Sequence, residues 1–179
     1  VPPRINKYYI LDLKPENSFI AWAVSQGFTV FVISWVNPDN SYGDISLEDY
    51  LNDGLLAATD AALKATGQDK LNVVGYCAGG TLLATTLAVL TAKKDNRINS
   101  ATFLTSLVDF TDAGDLQVFI DEEQIALIDE SMGETGVLDG RRMAATFNMM
   151  RANDLIWSFV VKNYMLGKDP IPFDLLYWN

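Results

Sequence analysis

The chain has 179 residues, 49% apolar and 20% charged, with one cysteine and no histidine. That suits one globular domain or the larger part of one, and the lone cysteine excludes an internal disulfide framework and points to a reducing compartment. The net charge of −10 argues against a nucleic-acid surface, which rests on clustered Lys and Arg, and no run reaches the roughly 18 apolar residues needed to cross a bilayer.

The chain opens at Val1 without an initiator Met and closes on Phe173-Asp174-Leu175-Leu176-Tyr177-Trp178-Asn179. So aromatic a run belongs inside a fold, since exposed it would be a sticky patch. The expectation is a fragment trimmed at both ends. No signal peptide or internal repeat is visible.

Tyr8-Tyr9-Ile10-Leu11-Asp12-Leu13 reads as a short buried strand, and Lys14-Pro15-Glu16-Asn17 as a turn. A helix is expected from about Ser18, with Phe19, Trp22 and Ala23 on one face and Gly27 as its stop. Residues 29–34, a near-continuous apolar run, suggest a parallel strand buried on both faces, broken by Asn37-Pro38-Asp39-Asn40. Ser46-Leu47-Glu48-Asp49 resembles a capping box. The helix it opens carries Leu47, Tyr50, Leu51, Leu55 and Ala58 at helical spacing, with Gly67 as its end. Strands are expected at 71–75 and 101–107, with a long helix rich in Ala, Leu and Thr from Gly79 to about Ala92.

Strands alternating with helices over short connections predict a parallel sheet covered by helices. After Asp109-Phe110 the pattern becomes purely helical, around residues 116–130, 139–150 and 154–166, as a cap over the sheet would be. The expected organisation is a partial core at 1–110 and a partial helical cap region at 111–179, joined near Thr111 to Asp115.

The chemistry concentrates at Gly75-Tyr76-Cys77-Ala78-Gly79-Gly80, between an expected strand and an expected helix. It matches the nucleophile elbow G-x-S-x-G with Cys in place of Ser. Glycines two residues on either side of Cys77 let strand and helix approach without Cβ clashes. A cysteine at this tip sits at a helix N-terminus, where the dipole favours thiolate over thiol. The backbone N–H of Ala78 would face the oxyanion of a tetrahedral intermediate. The bland reading of a lone cysteine is a small buried hydrophobe without chemistry.

The run Asn72-Val73-Val74-Gly75-Tyr76-Cys77-Ala78-Gly79-Gly80-Thr81-Leu82-Leu83 is very similar to the lipase-like box of polyhydroxyalkanoate synthases. Resemblance to that family extends over nearly the whole chain. It includes the opening Pro2-Pro3-Arg4-Ile5-Asn6-Lys7-Tyr8-Tyr9-Ile10-Leu11-Asp12-Leu13, then Ser34-Trp35-Val36-Asn37-Pro38-Asp39, Leu107-Val108-Asp109-Phe110 and the closing Pro172-Phe173-Asp174-Leu175-Leu176-Tyr177-Trp178-Asn179. It is nearest in character to the single-subunit synthases that act on short-chain hydroxyacyl thioesters.

The resemblance implies an α/β-hydrolase-type parallel sheet with a helical cap insertion, truncated here before its last strands. It implies an acyltransferase that polymerises (R)-3-hydroxyacyl-CoA into polyester and releases CoA through a cysteine thioester, here on Cys77. Ala78 and Ile10 would supply the two oxyanion-hole N–H groups. A histidine base and an aspartate that activates the incoming hydroxyl would lie beyond this chain. No cofactor is implied, the CoA thioester being substrate. The implied partners are hydroxyacyl-CoA, the growing polyester chain, the polymer granule surface and a second copy in a full-length homodimer, with the enzyme cytoplasmic at granules.

Other candidates have plainer readings. Asp109 could pass for a triad acid but suits a structural role at the cap junction. Asp121-Glu122-Glu123 reads as a solvated helix face, and Met143, Phe147 and Met150 as cap packing. No phosphate-cradling loop or metal-ligand spacing occurs. Two other readings remain open. One is a cysteine hydrolase or thioesterase of the same fold, dienelactone-hydrolase-like, in which water resolves the thioester; the other is a non-catalytic binding subunit. An Asp and a His downstream would favour catalysis.

Overall fold

The computed structural model describes residues 1–5, 7–133 and 136–170. The closing run at 173–179, which reads as belonging inside a fold, lies outside the described residues. The chain divides into two compact units, one of Val1–Asn37 with Asp44–Thr111, the other of Pro38–Gly43 with the residues from Asp112 onward.

The first unit is built on a pair of parallel strands, β3 (Leu71–Tyr76) and β4 (Ile98–Leu104), in register from Asn72 opposite Ser100 to Tyr76 opposite Leu104. The crossover between them is helix α4 (Ala78–Ala92), where the long Ala/Leu/Thr helix was expected. β4 begins and ends three residues earlier than the apolar run suggests. It stops because Thr105 turns to φ 46°, a conformation that no ladder accommodates and that a β-branched residue rarely adopts.

Two expected strands are corrected. Residues 8–13 form a 3₁₀ turn at Tyr8–Leu11, then the short β1 (Asp12–Lys14), antiparallel to β2 (Asn17–Ser18). Residues 29–34 form no strand; Phe31 and Val32 are exposed. An apolar run states a preference for burial, but a strand also needs a neighbour with free backbone groups. On the side of β3 opposite β4, the Val1 nitrogen donates to the Val74 carbonyl (2.7 Å) and the Tyr76 N–H donates to the Val1 carbonyl (3.0 Å). Val1 thereby occupies the place of a parallel neighbour to Gly75.

Local signals at the helices hold better. Ser18 caps α1 (Phe19–Ser25) by accepting the Ala21 N–H at 2.8 Å, and Gly27 follows its end at φ 89°. The capping box is complete: Ser46 Oγ accepts the Asp49 N–H (3.3 Å), and Asp49 Oδ2 accepts the Ser46 N–H (2.7 Å). The helix runs as α2 (Leu47–Asp49), a wide π-type segment at Tyr50–Leu56 and α3 (Ala57–Thr66), and Gly67 closes it in the left-handed conformation. The widening coincides with Trp35, whose ring lies so close to Gly54 that a Cβ there would stand 2.6 Å from it. Trp35 Nε1 donates to the Pro2 carbonyl at 2.8 Å.

The core is where this helix, β3 and α4 meet, at Leu51, Leu55, Val73, Leu82 and Leu83. Burial of Leu55 and Leu83 contributes about 2 kcal/mol each. Thr59 and Thr86 are buried among them and return their hydroxyls to the carbonyls of Leu55 and Leu82, both at 2.8 Å, so neither is left unpaired.

Hydrogen bonds from the Ser46 hydroxyl and N–H hold the Asp49 carboxyl below its ordinary range. A carboxyl depressed on folding contributes stability that is present above its unfolded pKa and lost as pH falls through the folded value. Asp49→Asn should therefore be less stable than the parent at neutral pH, with the gap closing below about pH 4. Urea midpoints measured across that range test this; a gap that stays constant with pH counts against it.

The second unit is helical. A 3₁₀ turn at Gly114–Phe119 leads to α5 (Glu122–Gly133) and α6 (Gly140–Met150), then wide helical turns at Asn153–Trp157 and Val160–Met165. Gly43 meets Gly136 here, closely enough that a Cβ on Gly136 would lie 2.7 Å from the Gly43 Cα. Asp121 accepts the Gln124 N–H at 2.8 Å, while Glu122 and Glu123 are exposed, as a solvated face requires. Met143, Phe147 and Met150 are half-buried.

Candidate active site

Cys77 stands between the last residue of β3 and the first of α4, with φ 51° and ψ −129°. For a residue with a Cβ this is a sparsely populated conformation, and it persists only where the surroundings over-determine it. Both of its backbone groups are held. The Cys77 N–H donates to the Leu104 carbonyl (2.9 Å), and the Cys77 carbonyl accepts from the N–H groups of Gly80 (2.9 Å) and Thr81 (3.4 Å). The side chain is half-buried and its thiol is free of any disulfide.

The glycine frame has a measurable reason at each position. A Cβ on Gly75 would lie 2.5 Å from the Gly80 Cα, so strand and helix touch backbone to backbone. One on Gly79 would overlap the carbonyl oxygens of Val1 and Pro2, and one on Gly80 would overlap the Ser106 side chain. The three glycines thus let β3, α4, the opening residues and the segment after β4 converge beneath one thiol.

Ala78 is the first residue of α4, so its N–H has no carbonyl partner within the helix. Ile10 lies in the 3₁₀ turn rather than a strand, and its N–H donates to the Lys7 carbonyl at 3.2 Å. Asp109 Oδ1 accepts from the Thr111 hydroxyl (2.6 Å) and N–H (2.9 Å), and these bonds hold its carboxyl below the ordinary range. A carboxylate held ionised by its own turn is a weak base. Among the described residues no group of three His, Cys, Asp or Glu could hold a metal ion, and no helix is long and apolar enough to cross a membrane.

The residues 104–107 were not legible as part of the site. Ser106 Oγ donates to the Leu104 carbonyl (3.1 Å), and the Thr81 hydroxyl to the Leu107 carbonyl (2.7 Å). The only hint in the sequence is the Gly79-Gly80 pair, which implies that something must press on the first turn of α4.

A strand leading into a residue with this backbone, followed at once by a helix, is the geometry of a nucleophile elbow. The sequence model of the alpha/beta hydrolase fold family matches residues 10–179. The chain belongs to the alpha/beta hydrolase fold family. It is similar to the poly(3-hydroxyalkanoate) polymerase of Methylorubrum extorquens, at 60% identity over the whole chain and 30% of the relative. The polymerase subunit PhaC of Rhizobium meliloti is 57% identical over 99% of the chain and 29% of its own length. That of Cupriavidus necator is 47% identical over the whole chain and 31% of its own length. The resemblance to polyhydroxyalkanoate synthases therefore extends along the chain. The chain spans less than a third of the length of these relatives.

Proposed function

We propose that this chain carries the nucleophile of an acyltransferase that polymerises (R)-3-hydroxyacyl-CoA into polyhydroxyalkanoate, with Cys77 as the acyl carrier. The observation that carries the reading is the Cys77 backbone, φ 51° at the tip between β3 and α4. That geometry lifts a side chain clear of the chain on both sides, at the end of a helix whose first amide is unspent. The similarity to proteins named poly(3-hydroxyalkanoate) polymerase supports the choice of reaction.

In the first step the Cys77 sulfur attacks the thioester carbonyl, and a carbon–sulfur bond forms. The resulting oxyanion is held at the Ala78 N–H. Collapse breaks the bond to the CoA sulfur, and CoA leaves as its thiol after taking up the proton that Cys77 gave up. In the second step the hydroxyl of another hydroxyacyl unit attacks the Cys77 thioester, an ester bond forms and the cysteine sulfur is released. Both steps need a base to carry the proton. The chain contains no histidine, and the proposal assigns that base to a residue outside this chain. For Ile10 to be the second oxyanion donor, its N–H must leave the Lys7 carbonyl. The proposal includes no cofactor, and extends to the growing polyester, the cytoplasmic granule surface and a full-length homodimer as partners.

The test is to mix the complete protein with 3-hydroxybutyryl-CoA, quench in acid and map peptides by mass. The Cys77 peptide is expected to carry hydroxybutyryl units, and the product to be polyester. CoA release with the Cys77 peptide always unmodified contradicts the assignment, and free 3-hydroxybutyrate as sole product replaces it with a thioesterase.

A further inference from the structure

We propose that the segment Leu104-Thr105-Ser106-Leu107 is a strap that sets the position of Cys77, and that Thr81 is the positioning residue that fastens it. The proposal rests on Cys77 being the nucleophile, and adds to that reading how the elbow is kept in its unfavourable conformation.

Three residues of the strap, Leu104, Ser106 and Leu107, meet the elbow within one helical turn. The Leu104 carbonyl accepts the Cys77 N–H at 2.9 Å, continuing the β3–β4 ladder one residue past its end. The Ser106 side chain fills the notch that Gly80 leaves open, and its hydroxyl is shared between the Leu104 carbonyl (3.1 Å) and the Gly75 carbonyl (3.4 Å). The Thr81 hydroxyl donates to the Leu107 carbonyl at 2.7 Å in a part-buried place, across 26 residues of sequence.

Thr81 also reaches the elbow from the other side, because its N–H points at the Cys77 carbonyl at 3.4 Å. One residue thus touches both the strap and the peptide unit that follows the nucleophile. The strap itself is under tension, with Thr105 at φ 46°. Two non-glycine residues at positive φ, Cys77 and Thr105, stand at the C-terminal ends of neighbouring paired strands. Neither conformation is favourable alone. A hydroxyl that pins Leu107 to α4 closes the loop between them, so that relaxing one requires moving the other.

Removing this hydroxyl should release the strap and let the elbow sample relaxed conformations in which the thiol is misdirected. The test uses Thr81→Val, which keeps the shape and loses the hydrogen bond, and Thr81→Ser, which keeps the bond and loses a methyl. Both are made in the complete protein. The measurements are the alkylation rate of Cys77 by iodoacetamide, followed on its own peptide, and the kcat and KM of CoA release. Thr81→Val is expected to slow alkylation and lower kcat by about tenfold, the scale of one lost hydrogen bond, with KM little changed. Thr81→Ser should recover most of both losses.

A purely structural hydroxyl would lower the melting temperature and leave the alkylation rate and kcat of the folded fraction at parental values; that result overturns the proposal. So does a Thr81→Ser variant as defective as Thr81→Val, which also covers the case where the valine variant does not fold. Cys77→Ala made alongside keeps the two ideas apart. If it retains turnover the nucleophile reading fails, whereas a dead Cys77→Ala beside a parental Thr81→Val removes only the strap.

Discussion

Cys77→Ala in the complete protein is expected to lower CoA release from 3-hydroxybutyryl-CoA by about a thousandfold or more, the scale on which removal of a covalent nucleophile acts. This is the only cysteine in the chain, and the Thr81 and Ser106 hydroxyls beside the elbow are already engaged. The Thr81 hydroxyl is spent on the Leu107 carbonyl and that of Ser106 on the Leu104 carbonyl. The fold should tolerate the change, since alanine takes the backbone conformation of Cys77 no less readily than cysteine does. Cys77→Ser should also be severely impaired, because an alkoxide is harder to form than a thiolate. Steady-state release of CoA, read by a thiol reagent against the parent at equal folded concentration, decides the matter. Release near the parental rate in Cys77→Ala would end the nucleophile assignment.

Gly75→Ala should be strongly destabilising to the first unit. Its Cβ would stand 2.5 Å from the Gly80 Cα and 3.1 Å from both the Gly80 nitrogen and a Leu83 methyl. Backbone atoms cannot rotate out of the way as a side-chain tip can, so β3 and α4 must separate. Overpacking of this kind costs about 3 kcal/mol, and the separation displaces Cys77, which lies between the two elements. Gly140→Ala is the control, because nothing stands within 4 Å of a Cβ at that position. There the change should be neutral or stabilising by about 0.5 kcal/mol, as the unfolded chain loses freedom. Urea unfolding of both variants, followed by tryptophan fluorescence, measures the contrast. A Gly75→Ala variant as stable as the Gly140→Ala control would show that strand and helix are not in contact at the elbow.

The cost at Gly75 also explains why the elbow could be read without coordinates. A positive-φ nucleophile and a backbone-to-backbone approach both select glycine at particular spacings, so the geometry leaves its mark in Gly75, Gly79 and Gly80. Helix starts and stops are written locally for the same reason. Ser46 with Asp49, Ser18 and Gly67 act through atoms within a few residues of themselves, and sequence neighbours suffice to identify them.

What the amino-acid sequence determined by itself was therefore the elbow, the helices around it, the fold class and the resemblance to polyhydroxyalkanoate synthases. Strand pairing was different. The runs at 8–13 and 29–34 have the composition of buried strands, yet one became a 3₁₀ turn with a short hairpin and the other no strand at all. Hydropathy registers only the wish to be buried, whereas a ladder depends on which distant edge has unpaired N–H and C=O groups. The edge of β3 facing away from β4 is met by Val1, 74 residues from Gly75. Only the tertiary structure could place the Leu104–Leu107 strap beside Thr81, because the bond that fastens it joins residues 26 positions apart, through a main-chain carbonyl that every residue possesses.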